Sequence, residues 1–271
     1  MMVSFYRPTP QRYKIIMEAG AFPSDQYAME SQVRWHGFHP DDAIVEIAPR
    51  PGEDVLRTED ILQTIEQEAD SLALVMFVGV NYYTGQVFDM ETICKAGIQY
   101  GLKPKLHVNQ LNSIGGIESA IKLNTVSVDH LETMTDSDVE LLGNSNVIGT
   151  LLPTAAFFLR MNYQPARKLI DNNCAIALAS DYNPGSSPSG NMNFVVALSC
   201  IQMKMLPEEA INTATINGAY AMELQNEVGS ITIGKKANLI FTKPIPSLAY
   251  LPYSFGNNLI DKVMICGNFI N

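Results

Sequence analysis

The chain has 271 residues, of which 46% are hydrophobic and 17% are charged, and its formal net charge is −10. This length suffices for one large domain or two of ordinary size, and the composition is typical of a globular protein. The acidic balance argues against nucleic acid and anionic membranes as partners. No apolar run approaches the length of a membrane span, and the first residues lack the apolar core of a signal peptide. We therefore expect a cytoplasmic protein whose four widely spaced cysteines are reduced thiols.

The first hundred residues predict few regular elements. Residues 1–57 are rich in turn and cap signals and are expected to form mostly loops. Thr58 is the expected N-cap of a helix in which apolar residues recur on one face. The continuous apolar run at 71–80 predicts a buried parallel strand, and a helix that ends near Gly101 follows.

From residue 103 onward, strand and helix patterns alternate regularly. Four strands are expected, each followed by a helical pattern, at 103–108, 125–130, 146–153 and 175–181. One helix is expected to span 155–173, and two more follow at 191–204 and 207–225. Four such units make half of a (β/α) barrel, and the alternating tail predicts a small antiparallel sheet.

Three polar residues stand at or near the ends of these predicted strands. His107, His130 and Asp181 each close a short apolar run. A (β/α) barrel presents its chemistry at strand C-termini, and imidazole and carboxylate groups serve as metal ligands and as acid or base catalysts. Taken singly, His107 also fits a structural histidine, Asp181 a turn residue and His130 a helix cap.

The second part of the chain resembles a known enzyme family. The strings KLHVNQLNSIGG, SVDHLE, TLLPTAAFFLR and ASDYNPGSSPSGNMNF are similar to those of imidazolonepropionase, an amidohydrolase-superfamily enzyme of histidine degradation. The resemblance covers about residues 93–271. It implies a metal-binding (β/α)8 barrel with a small β-sandwich, and hydrolysis of the ring C–N bond of the small molecule 4-imidazolone-5-propanoate to N-formimidoyl-glutamate.

The same resemblance implies roles for individual residues. His107 matches a ligand of the catalytic zinc or iron, and Asp181 matches a second ligand that also acts as the base. His130 matches a histidine beside the substrate. The matching substrate contacts are Gln110, Asn183, Gly185 and Ser186.

Part of the family's metal site has no counterpart in the sequence. The family takes two ligands from an HxH pair on its first strand, whereas the remaining histidines here, His36 and His39, occur as HGFH in a loop. Two protein ligands are too few for a tight catalytic metal, which normally has three and an open position. The resemblance therefore predicts an incomplete and inactive site.

Residues 1–101 resemble a different family. The strings VSFYRPTPQRYKIIME, AFPSDQYAMESQ and ALVMFVGVNYYTGQVFDM are similar to kynureninase, an enzyme of tryptophan degradation that uses pyridoxal phosphate (PLP) and has the aspartate-aminotransferase fold. In that family the FPSD loop, here Phe22, Pro23, Ser24 and Asp25, contributes to the cofactor pocket. The Schiff-base lysine motif is missing, so PLP is not expected to be retained.

The chain therefore reads as a fusion of two enzyme fragments of α/β class. We expect a kynureninase-like, partial PLP-transferase segment at 1–92, a seam helix at 93–102, a half (β/α) barrel at 103–225 and the amidohydrolase β segment at 226–271. The leading hypothesis is an inactive imidazolonepropionase-type hydrolase that forms a homodimer over its open strand edge. The alternatives are a kynureninase fragment and a non-catalytic chimera or assembly artefact.

Overall fold

A computed structural model describes residues 2–270 of the chain and divides it into two compact units. Unit 1 is Met1–Pro104 and unit 2 is Lys105–Asn271. Among the described residues, no helix is long and apolar enough to span a bilayer.

Unit 1 is built on a parallel three-stranded sheet with the strand order β2-β1-β3. Its elements in chain order are α1 (Met2–Phe5), β1 (Lys14–Glu18), α2 (Pro23–Trp35), α3 (Pro40–Ala43), β2 (Ile44–Ile47), α4 (Thr58–Gln67), β3 (Leu72–Met76) and α5 (Met90–Gln99).

The expectation that residues 1–57 form mostly loops was wrong, because this segment supplies the central strand of unit 1. In β1, Ile16 packs into one apolar core, while Ile15 and Met17 pack into another on the opposite face. All three are fully buried. β1 has only five residues, Lys14–Glu18, which is too short for a clear alternation of apolar and polar residues in the sequence. Apolar cores pack against both faces of the strand and stabilise it.

The two later helices of unit 1 match their predicted positions closely. Thr58 is the first residue of α4 and Arg57 is its N-cap, one residue earlier than expected. The side chain of Asp89 caps α5 by accepting a hydrogen bond from the amide of Thr92. After α5, Gly101 has φ +80°, the left-handed conformation that the glycine was predicted to supply.

Unit 2 begins with a parallel four-stranded sheet of order β4-β5-β6-β7. Its elements up to the last of these strands are β4 (Lys105–Val108), α6 (Gly116–Lys122), β5 (Ser127–His130), α7 (Asp136–Gly143), β6 (Ile148–Leu151), α8 (Pro153–Leu159), α9 (Ala166–Asp171) and β7 (Ile176–Leu178). This confirms the four predicted strand and helix repeats, with strands shorter at their ends than the apolar runs.

The remainder of unit 2 is helical and then antiparallel. Its elements are α10 (Met192–Ile201), α11 (Pro207–Ala214), α12 (Ile216–Ala221), β8 (Leu239–Thr242), α13 (Tyr250–Tyr253), β9 (Ile260–Ile265) and β10 (Asn268–Ile270). The last three strands form an antiparallel sheet of order β10-β9-β8, which confirms the predicted tail.

Two helices that were predicted as continuous are divided in the structure. The segment 155–173 breaks after α8, where Arg160 adopts φ +56°, and α9 begins only after Pro165. A proline is tolerated at a helix start but not inside one, so this chain turn is a natural boundary. The segment 207–225 breaks at Thr215, between α11 and α12.

The register of the sheet in unit 2 brings the carboxyl ends of its strands to one edge. Val108 pairs with His130, His130 with Leu151, and Leu151 with Leu178. Helices α6, α7, α9, α10 and α11 pack with the sheet around an apolar core that includes Leu151 and Leu178. The side chains of the candidate site belong to the last residues of these strands and to the segments that follow them.

Candidate active site

The edge of the sheet in unit 2 brings together the three residues singled out by their positions after apolar runs. The imidazole rings of His107 and His130 have centroids 4.0 Å apart, at an interplanar angle of 39°. The carboxylate of Asp181 is close enough to act electrostatically on the pKa of His107, which it raises. The two imidazoles thus lie side by side, and the carboxylate of Asp181 is within electrostatic range of His107.

His107 lies within β4, one residue before its end. Its Nε2 donates a hydrogen bond of 3.0 Å to Oε1 of Gln110, in the loop that follows. Desolvation by the surrounding protein lowers the pKa of His107, even though the residue keeps some exposed surface, and the neighbouring His130 lowers it further. A neutral imidazole is therefore favoured at this position.

His130 is the last residue of β5, and a neighbouring carboxylate contacts its Nδ1 atom. Its Nδ1 lies 3.3 Å from Oε1 of Glu132, and the same oxygen accepts a 2.8 Å hydrogen bond from Nε2 of Gln164. The backbone turns sharply here, because His130 has φ +85° and Leu131 has φ +71°. Two consecutive residues other than glycine in this conformation mark a strained turn at the strand end.

Asp181 lies three residues beyond β7 in a loop with its own hydrogen-bond network. Ser186 donates from its hydroxyl to Oδ2 of Asp181 at 2.9 Å, and Asn183 donates from its amide to the carbonyl of Asp181 at 2.7 Å. Oδ1 of Asn183 accepts from the backbone amides of Gly185 and Ser186. The side chain of Asn183 therefore organises the loop that holds the carboxylate.

The residue before Asp181 is anchored from two neighbouring segments. The carbonyl of Ser180 accepts a 2.8 Å hydrogen bond from the hydroxyl of Thr154, at the start of α8, and a 2.7 Å hydrogen bond from the hydroxyl of Ser187. The end of β7 is thereby tied to the end of β6, and Asp181 is held at φ +50°.

A partly buried ion pair lies on the same face of the sheet as His107. Lys105, two residues earlier on β4, donates to Oδ1 of Asp129 at 2.5 Å and to the hydroxyl of Ser127 at 2.7 Å. Asp129 stands opposite His107 in the register of the two strands and raises its pKa. Residues two apart on a strand share a face, so these groups line one polar row.

The predicted FPSD cofactor loop lies in unit 1, at the start of α2. Pro23 is the first residue of this helix and Phe22 precedes it, with its ring edge-on to Tyr82 at a centroid distance of 5.2 Å. Asp25 is in the first turn, and burial raises the pKa of its carboxyl group. This arrangement is an ordinary helix start, and its PLP role remains a prediction.

With this geometry in place, comparison with protein families gives a clear assignment. The model of the amidohydrolase family matches residues 89–270, about two thirds of the chain. The chain belongs to the amidohydrolase family. The kynureninase resemblance of residues 1–101 remains a prediction.

Comparison with individual relatives is more specific than comparison with the family model. It is 54% identical over 214 residues to an imidazolonepropionase of Flavobacterium johnsoniae, 50% over 211 residues to one of Christiangramia forsetii, and 49% over 215 residues to one of Flavobacterium psychrophilum. These alignments cover 78%, 78% and 79% of the chain but only 52%, 51% and 52% of the relatives. The chain thus spans about half the length of the curated relatives it matches.

The aligned stretch is longer than the resemblance noted in the sequence. It covers 78% of a 271-residue chain, more than residues 93–271 can supply, so it begins upstream of residue 93. The similarity to imidazolonepropionases therefore reaches into unit 1.

Solved structures resemble the amidohydrolase chain at the level of fold. An amidohydrolase from a Sargasso Sea environmental sample matches with a TM-score of 0.63 and 16% identity, over 95% of this chain and 66% of that one. A zinc-bound adenosine deaminase from Xanthomonas campestris matches with a TM-score of 0.61 and 17% identity, over 94% and 65%. Guanine deaminase from C. acetobutylicum, with guanine bound, matches with a TM-score of 0.61 and 15% identity, over 96% and 72%.

The donor groups of this amidohydrolase do not fit a tightly bound catalytic metal. Within residues 2–270, no group of three or more His, Cys, Asp or Glu side chains has the geometry to hold a metal ion. Of the two predicted ligands, His107 already uses Nε2 in its hydrogen bond to Gln110. His36 ends α2 and His39 caps α3 in unit 1.

Two residues of the site were not singled out from the sequence. Glu132 and Gln164 are both buried and both act on His130, directly or through each other. Glu132 stands two residues after His130, a spacing that a search for histidine partners would find. Gln164 is 32 residues further along the chain, and only the packing of the loop before α9 brings it to this place.

Proposed function

We propose that unit 2 carries the C-terminal half of an imidazolonepropionase-type active site. The reaction is hydrolysis of the ring C–N bond of 4-imidazolone-5-propanoate, which gives N-formimidoyl-glutamate. The observation that carries this proposal is the 54% identity to an imidazolonepropionase, together with the convergence of His107, His130 and Asp181 at one edge of the parallel sheet.

Each of the three central residues has a role that its surroundings support. Asp181 acts as the base, because its carboxylate is held by Ser186 and can take a proton from an attacking water. His130 faces the substrate ring, with one nitrogen held by Glu132 and the other available for a hydrogen bond. By the family resemblance, His107 and Asp181 would supply two of the ligands of a zinc or iron ion in a complete site.

The substrate contacts are proposed for the loops beside these residues. Gln110 follows β4 and is already hydrogen-bonded to His107, which places its amide at the site. Asn183, Gly185 and Ser186 belong to the loop that carries Asp181, and glycine there lets a ligand approach the backbone closely. These side chains match a small molecule that carries both a ring amide and a carboxylate.

We further propose that the chain alone does not catalyse this reaction. Two donors cannot hold the metal that would lower the pKa of an attacking water to near neutrality, since a catalytic zinc normally has three protein ligands. The proposed role of unit 2 is thus to supply half of a site whose other half is not formed by the described residues.

A hybrid protein tests the assignment. Residues 105–271 would replace the matching C-terminal part of the Flavobacterium johnsoniae relative, whose own N-terminal part supplies the remaining ligands. We expect this hybrid to hydrolyse 4-imidazolone-5-propanoate, and we expect Asp181→Asn in the hybrid to lower kcat by about 10² to 10⁴-fold, the usual contribution of a general base.

The matched control is Asp261→Asn, which changes an exposed aspartate on β9. This variant should retain the kcat of the hybrid. A folded hybrid that binds metal but leaves the substrate unchanged would contradict the proposal.

The unaltered chain gives a second test through its metal content. Zinc and iron are measured by mass spectrometry after dialysis, alongside turnover of the same substrate. We expect much less than one metal ion per chain and no turnover. One tightly held ion per chain with measurable turnover would show that the donor set is complete.

The kynureninase-like descent of unit 1 is a separate proposal. Its support is that the amidohydrolase model begins only at residue 89 and that unit 1 forms its own parallel sheet and cores. The reach of the imidazolonepropionase alignment upstream of residue 93 counts against it. A long sequencing read across the locus decides between a fusion gene and an assembly artefact, and a PLP absorbance band is not expected from the purified chain.

Two further properties belong with this proposal. We propose a cytoplasmic location, because Cys94, Cys174, Cys200 and Cys266 are free thiols in the structure. We also propose a homodimer, because β4 and β7 are the edge strands of the open parallel sheet of unit 2 and present backbone groups for pairing. Light scattering after size-exclusion chromatography would reveal a mass of one chain if the homodimer is wrong.

A further inference from the structure

The partners of His130 form a small buried group that the proposed chemistry does not use directly. The side chain of Glu132 is 1% exposed, and His130 and Gln164 are 3% and 1% exposed. Oε1 of Glu132 lies 3.3 Å from Nδ1 of His130 and 2.8 Å from Nε2 of Gln164. One carboxylate oxygen of Glu132 therefore contacts both His130 and Gln164.

This group leaves two polar atoms without partners. Within the described part of the chain, Oε2 of Glu132 and Oε1 of Gln164 are buried and accept no hydrogen bond. Buried oxygens without a donor are uncommon and destabilise the folded state, so each calls for an explanation. A leucine and a methionine would fill the same space without this cost, which indicates that the polar groups serve His130.

The hydrogen-bond chemistry at Oε1 determines the tautomer of the ring. An ionised carboxylate oxygen can only accept, and the amide of Gln164 donates to the same atom. Nδ1 of a neutral His130 must therefore carry the proton in order to bond to Glu132. In a neutral imidazole the other nitrogen is then an acceptor, which leaves Nε2 without a proton.

The backbone conformation also holds Glu132 against His130. The left-handed turn at His130 and Leu131 lets the carboxylate of Glu132, only two residues later in the chain, reach Nδ1 of the ring. Strain of this kind persists where the surrounding structure holds it, and it concentrates at functional sites. Here the surrounding structure includes Gln164, which comes from the segment before α9.

We propose that Glu132 and Gln164 are positioning residues that hold His130 in the Nδ1–H tautomer, with Nε2 available as a hydrogen-bond acceptor beside His107. This inference rests on the proposed function for the use of Nε2 toward a substrate, but the tautomer itself does not depend on turnover. Glu132 contacts His130, and Gln164 acts only through Glu132.

Nuclear magnetic resonance of the full chain with ¹⁵N-labelled histidine tests the proposal. The chain has four histidines, so His130 is assigned by comparison with His130→Gln. At a pH of about 8.5, where an ordinary imidazole is neutral, long-range ¹H–¹⁵N correlations distinguish the two tautomers. We expect the Nδ1–H form of His130 to exceed the Nε2–H form by about tenfold or more, as a hydrogen bond to a charged group requires.

Three variants complete the experiment. Glu132→Gln should raise the Nε2–H fraction several-fold, because an amide can donate to Nδ1 as well as accept from it. Gln164→Met should shift the same fraction in the same direction by less. Glu140→Gln, at an exposed position on α7, is the matched control and should leave the spectrum of His130 unchanged.

A predominant Nε2–H form in the unaltered chain would overturn the proposal, whether or not any variant folds. An unchanged tautomer ratio in a folded Glu132→Gln variant would overturn it as well. Because no substrate is present, failure of the proposed hydrolysis in the hybrid protein would leave this result standing, and the two proposals can fail separately.

Discussion

The carboxylate of Asp181 and the imidazole of His107 interact across the end of the parallel sheet. Desolvation and His130 lower the pKa of His107, and Asp181 acts in the opposite direction. Asp181 is thus one of three residues, with Gln110 and Asp129, that raise the pKa of His107.

Asp181→Asn is therefore expected to lower the pKa of His107 further, because it removes a negative charge that favours the imidazolium ion. The measurement is a pH titration of the His107 ring by nuclear magnetic resonance. Asp261→Asn, which changes an exposed carboxylate on β9, should leave this pKa where it is. An identical titration in Asp181→Asn and the unaltered chain would mean that the two residues do not interact.

Because the pKa of His107 is lowered in the folded protein, the free energy of unfolding depends on pH. Below the ordinary value of 6.5 the unfolded chain takes up a proton at His107 more readily than the folded chain does. The contribution of His107 to the free energy of unfolding is therefore complete above pH 6.5 and is lost as the pH falls from 6.5 through the lowered pKa.

At the residue scale, sequence reasoning singled out the three residues of the candidate site but not the residues that support them. His107, His130 and Asp181 were recognised because each follows an apolar run, and their neighbours along the chain do not obscure that pattern. Gln164 could not be recognised in this way, because it lies far from His130 in the sequence and no local pattern links the two residues. Long-range side-chain pairs become visible only when the packing is known.

At the scale of elements, the turn that ends α7 is fitted closely against the turn that ends α9. A Cβ atom added to Gly143 would collide with the backbone carbonyl oxygen of Asn172 and would also lie 3.5 Å from the sulfur of Cys174. The chain cannot move this carbonyl without shifting the start of β7. Gly143 is thus required for the approach of the two turns.

Gly143→Ala is expected to lower the free energy of unfolding by about 1 to 3 kcal/mol, the usual cost of adding a methyl group to a close-packed contact. Urea denaturation followed by circular dichroism measures the change. The control is Gly256→Ala, where an added Cβ would meet no atom within 4 Å. Equal free energies of unfolding of the two variants would show that the turn after α9 can move away from the added methyl group without destabilising the protein.

Elements with strong local signals were predicted and those without were missed. The four parallel strands of unit 2 are apolar runs bounded by polar turns, and each appeared at its expected place. By contrast, β1 is central and buried in four of its five residues yet was assigned to a loop, because a five-residue strand with a charged residue at each end shows too little periodicity. The break between α8 and α9 was also missed, although Pro165 is a local signal for it.

At the scale of the whole molecule, the described chain has separate cores in its two units. The cores of unit 1 form around β1 and β3, and that of unit 2 forms around the four-stranded sheet. Units with their own cores can unfold independently, and a single transition is then not the expected behaviour.

We expect urea unfolding to give different midpoints by fluorescence and by circular dichroism. The single tryptophan, Trp35, belongs to unit 1, so its fluorescence reports that unit, whereas circular dichroism reports the helices of both. Trp35 is 78% exposed, so Trp35→Phe should remove the fluorescence signal and leave the dichroism transition in place. Coincident midpoints in the unaltered chain would contradict independent unfolding.

The sequence by itself determined the α/β class of unit 2, the order of its strands and the three residues at their ends, because these depend on local periodicity and on which residues follow each run. Only the tertiary structure decided that β1 is a central strand and that Gln164 supports Glu132. These features depend on contacts between segments far apart in the chain, and no short window of sequence contains both partners of such a contact.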